Sequence, residues 1–158
     1  MGDAFYASAV VTVRPADPGD VHALQAIAVA AYEKYLPRIG RPPAPMTADY
    51  AQAVRDRQVW AAVQDGEISG FAVLITQPGY LELENIAVLP AAQGRGIGVL
   101  LLSLAEDRAR ELGFGEIRLY TNQAMTENLA YYARRGYAET HRAEQDGFNR
   151  VFFRKPIG

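Results

Sequence analysis

The chain has 158 residues, 49% of them hydrophobic, which suits one domain with a real core. Its net charge of −2 excludes the general affinity for nucleic acid or anionic membrane that a basic face confers, so neither is expected as a partner. It has no cysteine, which excludes disulfides, thiolate metal sites and a thiol nucleophile.

Residues 9–14, AVVTVR, are rich in β-branched side chains and predict a strand. Asp17-Pro18-Gly19-Asp20 can cap the helix that follows, in which Val21, Leu24, Ala28, Ala31 and Tyr35 share one face. Pro37 should end that helix, and PRIGRPPAPM at 37–46 should be irregular. Thr47 is the expected N-cap of a short helix reaching about Arg57. Residues 59–64, 68–76 and 80–89 read as a three-strand meander, joined by turns at Asp65-Gly66 and Gln77-Pro78-Gly79. Gly94, Gly96 and Gly98 then open a helix that runs to about Leu112 and stops at Gly113. A strand at 116–121, a helix at 126–135 ended by Gly136, and a hairpin of 137–142 with 150–154 around Asp146-Gly147 complete the chain. This order predicts a single α/β domain with a mixed sheet.

No apolar run approaches the roughly 20 residues of a membrane span. The opening MGDAFYASAVV lacks a basic n-region, so a cytoplasmic location is expected. His22 and His141 are the only histidines and neither lies in an HExxH or GxSxG context. Both read as surface or packing residues, and no metal is expected. Carboxylates, tyrosines and backbone amides are left to carry any chemistry.

A glycine-rich turn between a strand and a helix presents unpaired N–H groups at the positive end of the helix dipole, where phosphate binds. A Walker loop needs G-K-[ST], but Gly98 is followed by Val99. A dinucleotide fingerprint needs G-x-G-x-x-G, but the spacing here is G-x-G-x-G, after the fourth predicted strand and not the first. The pyrophosphate of coenzyme A is the remaining candidate.

Gln93-Gly94-Arg95-Gly96-Ile97-Gly98 resembles the [QR]-x-x-G-x-[GA] pyrophosphate loop of the GNAT acetyltransferase superfamily. Asn85-Ile86-Ala87-Val88-Leu89-Pro90 resembles that superfamily's fourth strand, and Asn128 to Tyr137 its later N…Y-x-x-x-G-[FY] motif. The element order agrees along nearly the whole chain. The resemblance implies a GNAT fold over 1–158: a mixed, mostly antiparallel sheet of about seven strands flanked by four helices. It implies an acetyl-CoA-dependent N-acetyltransferase that works by direct attack in a ternary complex. A non-catalytic acyl-CoA-binding or sensing domain is the alternative.

The resemblance also assigns residues. Ile86, Ala87, Val88, Gln93, Gly94, Arg95, Gly96, Ile97, Gly98, Val99, Asn128 and Tyr132 are expected to bind the cosubstrate, with the Val88 amide holding the thioester carbonyl oxygen. A bulge that splays the fourth strand from the next is inferred from the same source. Arg95 reads equally well as a phosphate ligand and as a solvated side chain. An amine with pKa ~10.4 is only about 0.05% neutral at pH 7, so a base that takes its proton contributes ~100-fold or more. Glu82 and Glu84 are the two candidates; amid Leu81, Leu83 and Ile86 a carboxyl should titrate high. Tyr132 matches the general acid of the family, and Tyr131 reads as an aromatic packing residue. The resemblance implies an amine acceptor on a small molecule or peptide, in a site walled by the first two helices and their connection. There Tyr32 and Tyr35 read as lining the pocket or packing beneath it, and Arg38 and Arg41 as ligands of an acceptor anion or as solvated side chains of a surface loop. A homodimer is the assembly left open.

Overall fold

The computed structural model describes residues 10–158. Its first strand is β1 (Val11–Pro15); Ala9, with which that strand was expected to begin, lies outside the described residues. The sheet continues with β2 (Val59–Gln64), β3 (Glu67–Gln77), β4 (Tyr80–Val88), β5 (Glu116–Asn122), β6 (Ala138–Gln145) and β7 (Phe148–Pro156). The helices are α1 (Val21–Tyr32), α2 (Tyr50–Arg55), α3 (Ile97–Glu111) and α4 (Thr126–Arg134). Strand order is β1-β2-β3-β4-β5-β7-β6, and only the β4–β5 pair is parallel. Among the described residues no helix is long and apolar enough to cross a membrane.

Two layers cover the sheet. On one face α1 and α2 bury Leu24, Ile27, Ala28, Tyr50 and Val54 against Val59, Phe71, Val73 and Ala87. On the other, α3 buries Ile97, Leu101, Leu102, Ala105 and Ala109 against Leu81, Leu83, Ile117 and Leu119. Each such aliphatic side chain contributes about 1.5–3 kcal/mol by leaving water.

Three boundaries differ from expectation. Pro37 does not stop helical structure: Glu33–Tyr35 form a 3-10 turn, and Leu36–Ile39 form one more helical turn with Pro37 in its first positions. Ala44–Thr47 is a second such turn, with Pro45 near its start. Proline is suited to first-turn positions, where its missing N–H has no intrahelical partner to lose. Thr47 therefore ends a turn, and the N-cap of α2 is Asp49, whose side chain accepts from the Gln52 N–H at 3.0 Å. β6 and β7 run further than predicted because Asp146 and Gly147, with φ of 53° and 79°, make a tight two-residue turn that lets pairing continue to Gln145 and Phe148.

A bulge in β4 positions the site. Val73 pairs with Asn85 and Leu74 with Leu83, so Glu84 is the extra residue. Its insertion reverses which face successive side chains meet. Leu81 and Leu83 join the α3-side core, as do Ile86 and Val88, whereas Ala87 joins the α1 side. Beyond Leu83 the pairing of β4 with β5 also stops: Leu81, Glu82 and Leu83 are the only β4 residues in register with β5. The expected splay is thus present and begins at Glu84.

Candidate active site

Two cavities meet at the splay. The first, of about 510 Å³, lies between the glycine turn, the end of β4 and α4. Ile86, Ala87, Val88, Gln93, Gly94, Gly96, Ile97, Gly98, Val99, Asn128 and Tyr132 all line it. Gly94 and Gly96 sit at φ of 84° and 81°, a region that glycine enters without steric cost. Gly96 is the N-cap of α3 and no side chain caps it. The first intrahelical backbone bond there is from Leu100 to the Gly96 carbonyl at 3.0 Å, which leaves the first-turn N–H groups facing outward. A side chain at Gly98 would meet the Tyr131 hydroxyl at 3.4 Å, so that position keeps the two walls close.

The backbone of β4 supplies a second set of donors. Leu89 donates to Ser69 on β3 at 2.9 Å. Antiparallel ladders alternate their direction residue by residue, so Ala87 also faces β3 while Ile86 and Val88 turn their polar groups toward the splay. Two contacts agree: the Ile86 carbonyl shares the single Tyr32 hydroxyl proton with Asn85 Oδ1, at 2.9 Å from that hydroxyl, and the Val88 carbonyl accepts from the Gln93 amide at 3.3 Å. The Val88 N–H thus points into the cavity.

Tyr132 stands across from it, packed edge-on against Tyr131 and Tyr137 at centroid distances of 5.4 and 5.7 Å. Burial raises its hydroxyl well above the usual tyrosine range, so the proton stays on. Asn128 donates to Thr121 Oγ1 at 3.2 Å, which fixes its amide on the same wall.

Some side chains fall elsewhere than expected. Arg95 leaves the cavity and donates to Gln64 at 3.1 Å on β2. Lys34, Arg134 and Arg135 line the cavity instead. Arg135 is held over the Tyr131 ring at 3.7 Å. Sequence reasoning missed these cations; the only signal was the Arg-Arg pair just before Gly136. Tyr131, read as packing, also lines this cavity. Tyr35 is buried in its wall and not in the acceptor pocket. Arg38 forms a fork with Glu127 on α4, holding that carboxyl down to about 2, and Arg41 caps the Asp146 carbonyl and covers the Phe148 ring at 3.6 Å. Both arginines border a separate small cleft, because these partners draw them to the rim.

The second cavity, of about 350 Å³, lies on the α1–α2 side and is lined mainly by apolar and aromatic groups. Tyr32 lines both cavities and is the predicted acceptor contact that the fold places here. Glu84 opens into it. Glu84 is open to solvent on its cavity side, and the partial desolvation that remains raises its carboxyl above its ordinary range; Glu82 adds to that and Arg150 opposes it. The direction matches expectation, but the neighbours do not: the bulge turns Leu81 and Leu83 to the other face, and Tyr50, Tyr120 and Arg150 surround Glu84. Glu82 instead opens into an adjoining cavity with His141, Arg118 and Arg154, and accepts from Gln77 at 3.0 Å.

A buried polar chain fixes this wall. Tyr32 donates to Asn85 Oδ1 at 2.6 Å, Asn85 Nδ2 donates to Tyr50 at 3.1 Å, and Tyr50 donates to the Pro45 carbonyl. It ties α1, the bulge, α2 and the proline-rich loop together. Asn85→Ala should therefore cost about 1–3 kcal/mol, since it removes two hydrogen bonds worth about 0.5–1.5 kcal/mol each, while the two hydroxyls keep the Ile86 and Pro45 carbonyls. Urea unfolding measures this; a loss under 0.5 kcal/mol would mean that the chain is not structural.

Comparison with known proteins gives the family and the fold. The profile described as Acetyltransferase (GNAT) family matches residues 21–137. The streptothricin acetyltransferase of Streptomyces lavendulae is 35% identical over 86 residues, covering 52% of this chain and 46% of that protein. The aminoalkylphosphonate N-acetyltransferase of Salmonella typhimurium is 33% identical over 86 residues, covering 51% and 56%. The matched stretch thus spans about half the length of these relatives. Among solved structures, the PaiA N-acetyltransferase of Thermoplasma acidophilum in complex with coenzyme A superposes with a TM-score of 0.78 at 18% identity, covering 93% of this chain and 99% of that one. The ribosomal-protein-S18-alanine N-acetyltransferase of Escherichia coli gives 0.75 at 22% identity, with 94% of each covered. The fold is the one shared by these enzymes. The chain belongs to the acetyltransferase (GNAT) family.

Proposed function

We propose that this protein transfers an acetyl group from acetyl-CoA to a primary amine by direct attack within a ternary complex. The observation that carries this reading is the meeting of two cavities at the β4 splay. One presents the open N–H groups of the glycine turn and the other presents Glu84, with Tyr32 in the wall of both. The first-turn amides of α3, the positive φ of Gly94 and Gly96, and the nearby Arg134 and Arg135 suit a pyrophosphate. Bound acetyl-CoA supplies the activated acetyl group; the protein's own residues do the rest.

Glu84 takes the proton of the incoming ammonium, and its raised affinity for protons suits that task. The Val88 N–H holds the carbonyl oxygen as it gains charge. Tyr132 keeps its proton until the sulfur departs and then gives it up. A non-catalytic acyl-CoA sensor would need neither carboxyl nor phenol at the junction. The direct test is calorimetry with acetyl-CoA, CoA and NADH, followed by thiol release with a panel of amines. Binding of acetyl-CoA without thiol release from any amine would favour the sensor, and binding of NADH alone would overturn both.

Tyr132→Phe keeps the ring contacts and removes the hydroxyl. It should lower kcat about 10- to 100-fold with little change in acetyl-CoA affinity, the pattern of an interaction made mainly in the transition state. Tyr131→Phe should instead act on affinity, because that hydroxyl sits beside Gly98. A Tyr132 defect confined to affinity would remove its role as acid.

A further inference from the structure

Arg150 lies where the Glu84 cavity meets the adjoining cavity of Glu82, and it lines both. It is only 7% exposed. Its ring partners hold it in place: the guanidinium carbon is 4.3 Å from the Tyr120 centroid and 5.7 Å from that of Phe148. One nitrogen, Nη1, makes all its recorded bonds, to Gln145 at 3.0 Å and to Asp146 at 3.4 Å. Asp146 is itself 83% exposed at its side chain, so that ion pair is weak. Nε and Nη2 have no partner among the described residues, yet no side-chain nitrogen or oxygen of the described residues is both sealed from solvent and unsatisfied. The free edge of the fork therefore reaches cavity space.

A buried guanidinium with two donors directed into a pocket is the arrangement that binds a planar or tetrahedral oxyanion. The other charges of the Glu84 cavity do not compete for it. Asp49 is engaged as the cap of α2, Asp56 accepts from Gln52 at 3.0 Å, and both lie exposed at the rim. Glu84 is the remaining carboxylate, and Arg150 is close enough to offset part of its charge.

We infer that the acceptor is an amine that also carries an oxyanion, a carboxylate or phosphonate, which Arg150 holds while Glu84 faces the ammonium. The inference rests on the acetyl-transfer reading above and gives it a substrate class. Apolar side chains such as Val73, Ile75, Met125 and Phe148 line the rest of the pocket, so an amino acid with an apolar side chain fits best. A fixed cation at this point also repels a simple diamine whose second ammonium would reach the same place.

The test uses matched probes. Phenylalanine, its phosphonate analogue and 2-phenylethylamine share a side chain and differ in the anion. For the wild type, kcat/KM should favour an anionic probe over the plain amine at least tenfold, and carboxylate against phosphonate tells which anion fits. In Arg150→Gln that preference should fall at least tenfold, and Arg150→Lys should restore part of it. Because Arg150 is buried, acetyl-CoA affinity and melting temperature are measured alongside. If Arg150→Gln fails to fold, the wild-type preference and Arg150→Lys decide alone. Binding is measured separately by calorimetry with N-acetylphenylalanine and N-acetyl-2-phenylethylamine in the presence of CoA. Preferential binding of the acid without turnover of any amine would uphold the anion site and overturn acetyl transfer. Equal binding and equal turnover of acid and plain amine would overturn the anion site and leave acetyl transfer standing.

Discussion

Glu84→Gln is expected to lower kcat about 100-fold at pH 7, the usual worth of a well-placed base. The defect should shrink as pH rises toward the amine's own pKa, where the acceptor deprotonates unaided. Glu82→Gln should have the smaller effect, since that carboxyl lies in the adjoining cavity and is already bonded to Gln77. Stability gives an independent check. Partial desolvation raises the Glu84 pKa in the folded state above its unfolded value. The stability tied to its proton is therefore complete below the unfolded pKa and is lost as pH climbs through the folded one. The Gln variant does not titrate there, so its melting temperature relative to wild type should rise across that window. Identical pH–rate profiles in wild type, both single variants and the double variant would show that neither glutamate is the base.

Gly96→Val should raise the dissociation constant for acetyl-CoA at least tenfold, about 1.4 kcal/mol. A Cβ at Gly96 meets nothing within 4 Å, so the damage is not a clash within the protein. It comes from φ of 81°, which a β-branched residue resists at a cost of about 1–3 kcal/mol. Relief of that strain re-aims the amides at the start of α3. S-acetylpantetheine, which lacks the pyrophosphate, separates the causes: its affinity should change much less. Equal losses for both ligands would mean that the loop does not read the pyrophosphate.

The sheet and its helices were largely legible in the sequence because their signals are local. Asp65-Gly66 and Asp146-Gly147 force tight turns, and Gly113 and Gly136 end helices with φ of 79° and 91°. The segment before Tyr50 was less legible: its prolines suit first turns as well as loops, and only the packing that buries Pro43 and Tyr50 decides between them. The β4 bulge was not read from the residues; it was expected only from the resemblance, although the spacing carries a trace of it. Leu81 and Leu83 are two apart, as are Ile86 and Val88, but three positions separate Leu83 from Ile86. That odd step marks a change of face after Leu83, but it does not separate Glu84 from Glu82, which only the cavities they open into do. Arg150 was not legible as a site residue. Its burial depends on Tyr120, thirty positions away on a neighbouring strand, and on a hairpin turn that brings Gln145 and Asp146 alongside.

The splay also makes this sheet unusual in its number of edges. An ordinary open sheet exposes backbone polar groups only along its two outermost strands. Here β4 and β5 part company after Leu83 and Leu119, and each then shows an unpaired border in the middle of the molecule. Such borders are templates for any extended chain carrying amides. Here they lie inside a cleft, between α4 on one side and the wall bearing Tyr32 on the other, where another folded chain has little room to pair with them. A cleft of about 510 Å³ has room for a thin, linear, amide-bearing ligand and less for a protein strand with its side chains. The break that weakens the sheet thus acts as a filter on what may complete it.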